Sequence, residues 1–68
     1  MSADNYIGIW KCKDGKYRGY YLSASYETPK KRPQWKPYFV ANTVTDAILS
    51  AQKEYTEYGF RFMNIKGG

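Results

Sequence analysis

The sequence predicts an α+β domain in the order β-β-β-α-β, and three observations carry that expectation. Two segments rich in aromatic and β-favouring residues flank Asp14-Gly15, and an apolar stripe at helical spacing runs from Val44 to Tyr58. The length, 68 residues, suits one small core. A chain of this size buries only about 60% of its unfolded surface, so that core is marginal. The expected organisation is a single domain over 1–68, with an N-terminal tail at 1–5, a basic proline-rich loop at 27–37 and a C-terminal tail at 66–68.

The first two strands are expected at Tyr6–Lys13 and Lys16–Tyr26. Asp-Gly between such runs favours a two-residue type I′ turn, which needs positive φ at both central positions. That turn sets a register: Lys13 faces Lys16, Lys11 faces Arg18, Trp10 faces Gly19 and Ile7 faces Leu22. Alternation then places Ile7, Ile9, Tyr20, Leu22 and Ala24 on one face, with Lys11, Lys13, Lys16 and Arg18 towards the turn. The other face carries Tyr6, Trp10, Cys12, Tyr17 and Tyr21, with room above two glycines.

Pro29, Pro33 and Pro37 forbid a continuous ladder through the next segment, which reads as a loop. A third strand follows at Tyr38–Ala41. Thr43 fits a helix N-cap with Asp46 three residues on. Val44, Ala47, Ile48, Ala51, Tyr55 and Tyr58 form the stripe, and Gly59 is placed as the terminating C′ residue. Phe60–Ile65 is expected as a last strand, brought beside the first by a crossover. The helix stripe should pack on the Ile7/Ile9/Leu22 face; the alternative, a core on the Trp10/Tyr21 face, stays open.

Charge is unevenly distributed. Eight of the eleven Lys and Arg residues lie between positions 11 and 36, opposed there only by Asp14 and Glu27, a local net charge of +6. Residues 37–68 balance to zero. The same stretch carries Tyr17, Tyr20, Tyr21, Tyr26 and Trp35. Cations interleaved with flat rings suit a polyanion with stackable bases, or a protein partner.

Several chemistries are disfavoured. There is no histidine, which removes the commonest general base and transition-metal ligand. A lone cysteine, Cys12, can form neither an internal disulfide nor a zinc site and reads as a small filler rather than a reactive thiol. Asp46, Glu54 and Glu57 belong to helix capping and solvation. An enzyme is not expected, nor a metal or cofactor. Without a leader-like start or a membrane-length apolar run, the expected location is the cytoplasm of a bacterium or infected host, with no membrane partner.

The candidate phosphate-binding residues are Lys11, Lys13, Lys16, Arg18, Lys30, Lys31, Arg32 and Lys36, and the candidate stacking residues are Trp10, Tyr17, Tyr21 and Trp35. In the expected register, Lys13–Lys16 and Lys11–Arg18 are like-charge cross-strand pairs, which suit a surface that meets an anion or a solvated tip. If six to eight cations touch phosphate, the log–log salt slope on duplex DNA is about −5 to −7.

Two resemblances extend this reading. The hairpin Lys13-Asp14-Gly15-Lys16-Tyr17, a strand ending in Phe39 and a helix opening Thr43-Val44-Thr45-Asp46-Ala47 resemble the three-strand-plus-helix DNA-binding domains of AP2 proteins and integrase arms. That implies a sheet whose basic and aromatic residues contact DNA. The chain departs from this pattern at the proline-rich loop and the strand after Gly59. The opening Met1-Ser2-Ala3-Asp4-Asn5-Tyr6 and the closing Glu57-Tyr58-Gly59-Phe60-Arg61-Phe62 resemble small uncharacterised proteins of bacteriophages and their hosts, which implies a mobile-element setting. The expected function is a non-enzymatic, phage-like accessory protein binding nucleic acid or a nucleoprotein through a basic, aromatic sheet surface. The alternative is an inhibitor or adaptor that binds a host protein, such as a defence or transcription component.

Overall fold

The computed structural model describes residues 4–54, 56 and 58–64. Strands β1 (Asn5–Lys11), β2 (Tyr17–Ser23) and β3 (Phe39–Ala41) precede helix α1 (Val44–Lys53), and β4 (Phe60–Phe62) follows it. The fold is α+β in the expected order, with one mixed sheet, β3-β2-β1-β4. Strand β1 pairs antiparallel with β2 and parallel with β4, so the crossover through α1 does bring the last strand beside the first.

The hairpin differs from expectation by one residue. Lys11 faces Tyr17, Trp10 faces Arg18 and Ile9 faces Gly19. The Cys12 N–H donates to the Lys16 carbonyl (2.8 Å) and the Gly15 N–H to the Cys12 carbonyl (3.0 Å), leaving Lys13-Asp14-Gly15 as the loop. Only Gly15 has positive φ there, +83°. Asp14 keeps negative φ, so the two-residue I′ turn is replaced by a three-residue loop with a left-handed third position. A one-residue slip moves every β2 side chain to the other face. The like-charge pairs Lys13–Lys16 and Lys11–Arg18 therefore do not form.

The helix covers the Ile7/Ile9 face, as expected, but β2 contributes Tyr17 to it rather than Tyr20 and Leu22. That core joins Ile7, Ile9, Tyr17, Ala41, Ala47 and Ala51, with Phe39, Phe60 and Phe62 packed around it. The opposite face is a second core of Tyr6, Trp10, Tyr20 and Leu22 with Met63 against it. The expected free space above the glycines is filled. A Cβ at Gly19 would overlap the Phe39 ring, and one at Gly8 would lie 2.7 Å from Leu22 Cδ1.

Thr43 caps α1, its hydroxyl accepting from the Asp46 N–H at 3.0 Å. The helix stops at Lys53, five residues short of the stripe's expected end, and Glu54 is extended. The cause is the ladder to β1: the Tyr58 N–H donates to Asn5 and the Gly59 carbonyl accepts from Ile7, which needs an extended chain. Gly59 (φ +71°) thus leads into β4 instead of closing the helix. Tyr55 lies outside the described residues, as do Ile65 and the 66–68 tail. Beyond Phe62 the Asn64 side chain substitutes for ladder bonds: its Oδ1 accepts from the Lys11 N–H and its Nδ2 donates to the Lys11 carbonyl, both at 2.9 Å. Among the described residues, no helix is long and apolar enough to cross a membrane.

Candidate nucleic-acid interface

Tyr20, fully buried on the helix-free face, organises the site. Its ring meets Trp10 edge-on at 5.6 Å and Trp35 at 6.2 Å. Its hydroxyl accepts from Arg32 Nη1 at 2.9 Å. Pro33, beside Arg32, is buried. The proline-rich loop is thereby held near the end of the hairpin. This is a β2 residue that the slipped register turned away from the helix.

The result is an open groove of about 680 Å³ between the hairpin end and the loop. Lys11, Lys13 and Arg18 line it from the hairpin, and Lys30, Lys31 and Arg32 from the loop, with Trp10, Cys12, Asp14 and Asn64 completing the walls. Six of the eight expected phosphate-binding cations are brought together; Lys16 and Lys36 are exposed outside it. A second hollow of about 560 Å³, between β3 and α1, has no such bias, since its Asp46 and Lys53 offset each other.

Among the described residues, Asp14 is the single acidic member of the groove. Arg18 clamps it with both terminal nitrogens, at 3.0 and 3.3 Å, and the Lys16 N–H donates to it at 3.0 Å. Those bonds, Arg18 first, lower the Asp14 carboxyl from 3.8 to about 2, so it is ionised at neutral pH and offsets Arg18. The same contact raises the Arg18 guanidinium, and the Tyr20 hydroxyl raises that of Arg32; both are permanent cations. Asp14→Asn is expected to tighten polyanion binding and to steepen its salt slope by about 0.7 to 0.9, one ion's worth. A titration over several salt concentrations checks this; an unchanged slope would mean that Arg18 takes no part.

The stacking candidates divide. Trp10 is 3% exposed and Tyr17 lies beneath the helix, so neither is an open platform. Each was expected on a free aromatic face, and the slipped register together with the loop removes that face. Tyr21 is 36% exposed beside Tyr38, ring centroids 4.6 Å apart, and Trp35 is 58% exposed. Tyr38 is raised to about 12, chiefly by the neighbouring Glu54 carboxylate. Cys12 is half-buried in the groove wall, its Sγ 3.8 Å from the Trp10 carbonyl oxygen.

Sequence reasoning missed Asn64, Tyr20 and Asp14 as members of the site. For Asp14 a signal existed, an acid at the turn four residues before an arginine. Asn64 reaches the groove only through the parallel pairing of β4, and nothing local marks it. Among the described residues, no three potential metal-ligating acidic, cysteine or histidine side chains are gathered. Compared with protein-family models, with curated proteins and with solved structures, the chain matches none.

Proposed function

We propose that the protein is a non-catalytic nucleic-acid or nucleoprotein binder that holds phosphates in the groove between its hairpin end and its proline-rich loop. One observation carries this reading: among the described residues, six cations from the hairpin and the loop line one open groove against a single carboxylate. Phosphate contacts of this kind supply affinity without reading sequence. The sheet contributes its margins, Lys11 and Arg18 among them, because the middle of its helix-free face is a core. A mobile-element setting rests on the resemblance of the two chain ends to phage proteins.

Fluorescence anisotropy with labelled DNA and RNA over a salt series tests the proposal. With five to six phosphate contacts, the expected log–log slope is about −5 on a duplex and about −4 on a single strand. Binding no tighter than that of a generic basic peptide at low salt would end it.

A second reading has its own support. Edge strand β3 exposes Val40, which shares a hollow with exposed Leu49 of α1 and suits strand addition by a host protein. A partner retained from lysate after nuclease treatment, and lost when Val40 is replaced by lysine, favours that reading.

A further inference from the structure

We infer that the nucleic acid is single-stranded and that one of its bases seats in the aromatic hollow beside the groove, an inference that rests on the phosphate-groove reading. The hollow, about 330 Å³, is lined by Asn5, Tyr21, Leu22, Ser23, Tyr26 and Trp35. Trp35 is 58% and Tyr26 78% exposed, unusual for large rings in a chain with so small a core. Leu22 supplies an apolar wall, and Asn5 and Ser23 supply polar atoms at the rim.

Position connects this hollow to the cations. Tyr20 packs edge-on against both Trp10, a wall of the groove, and Trp35, a wall of the hollow. Arg32 lines the groove and Trp35 the hollow, three residues apart on one loop. A strand whose phosphates follow Lys30, Lys31 and Arg32 therefore passes the open face of Trp35. Rings beside a cationic track hold unstacked bases irrespective of sequence, whereas a duplex keeps its bases stacked inside and offers the rings only backbone. The charge of the track selects a polyanion over an apolar peptide as occupant.

The test uses the native protein with three probes: an oligothymidylate, a duplex of the same length and inorganic polyphosphate. Trp35 emission reports stacking over the emission of Trp10, which at 3% exposed is out of reach of a stacking base; the signal lost in Trp35→Ala isolates it. The expected result is quenching by the oligothymidylate and none by polyphosphate. Trp35→Ala should weaken oligothymidylate binding between about five- and 150-fold, the range for one stacked base, and polyphosphate binding by much less. Tyr26→Ala, at a more exposed ring, is the second variant should the first disturb the loop.

Oligothymidylate binding unaffected in both variants, with polyphosphate still bound, overturns the single-strand inference alone. So does a duplex that binds as tightly as the single strand, or a lysate protein that survives nuclease and is lost in Trp35→Ala. Failure of the native protein to bind any of the three probes removes the groove reading, and this inference with it.

Discussion

Replacing Lys13, Lys30 and Lys31 together with alanine is expected to weaken single-strand binding by roughly two orders of magnitude at about 50 mM salt, a deficit shrinking about tenfold by about 200 mM. The three line the groove from both sides, and all are exposed, so their loss leaves both cores intact. The salt slope should fall from about −4 to about −2, because three of six neutralised phosphates are given up. Far-UV circular dichroism verifies the fold, and anisotropy across a salt series gives the slope. A slope that does not change would show that phosphate is held elsewhere. An equal loss at every salt concentration would show that the lysines act by shape and not by charge.

Tyr20→Ala is the substitution expected to damage the fold most. Removing a fully buried aromatic ring costs about 3–5 kcal/mol. A domain of this length has about 3–10 kcal/mol in all, so the variant should lose a third or more of its stability and unfold at a much lower urea concentration. Two rings and a guanidinium lose their common neighbour at once. Tyr20→Phe keeps the ring and gives up only the bond from exposed Arg32, costing about 1 kcal/mol. Urea unfolding curves separate the two. A Tyr20→Ala variant with a midpoint near that of the native protein would mean that the loop packs independently of this residue.

Much of the architecture was legible because its signals are local or periodic. The first strand, the Thr43 cap, the Ile7/Ile9 core face and the return of the last strand beside the first all follow from spacing and capping chemistry. The hairpin register was not, because Asp14-Gly15 is compatible with two loops that differ in the sign of φ at a single residue, Asp14. That ambiguity displaced Tyr20 and Leu22 from the expected core and put Tyr17 in their place. The end of α1 was hidden for another reason: Tyr58 fits the stripe, but its backbone is claimed by Asn5, more than fifty residues earlier. Such tertiary competition has no local trace.

The concentration of cations was likewise visible before the fold, but their grouping was not. A proline-rich loop has no period from which to infer what it packs against. Only the contacts of Tyr20 with Arg32 and Trp35 decide that Lys30 and Lys31 face Lys11 and Lys13 across a groove.

The pairing of β1 with β4 also has a consequence for how quickly the molecule assembles. The β1–β2 hairpin closes a short loop, an event of about 1–10 μs. The contact of Lys11 with Asn64 spans 53 residues, and its closure entropy must be met before any ladder bond offsets it. Docking of β4 is therefore the late, slow step, expected after the hairpin has formed. Because Asn64 is part of the groove wall, a molecule caught before that step displays its lysines without the complete binding surface, and competence to bind should lag behind the appearance of the first β-structure in a refolding experiment.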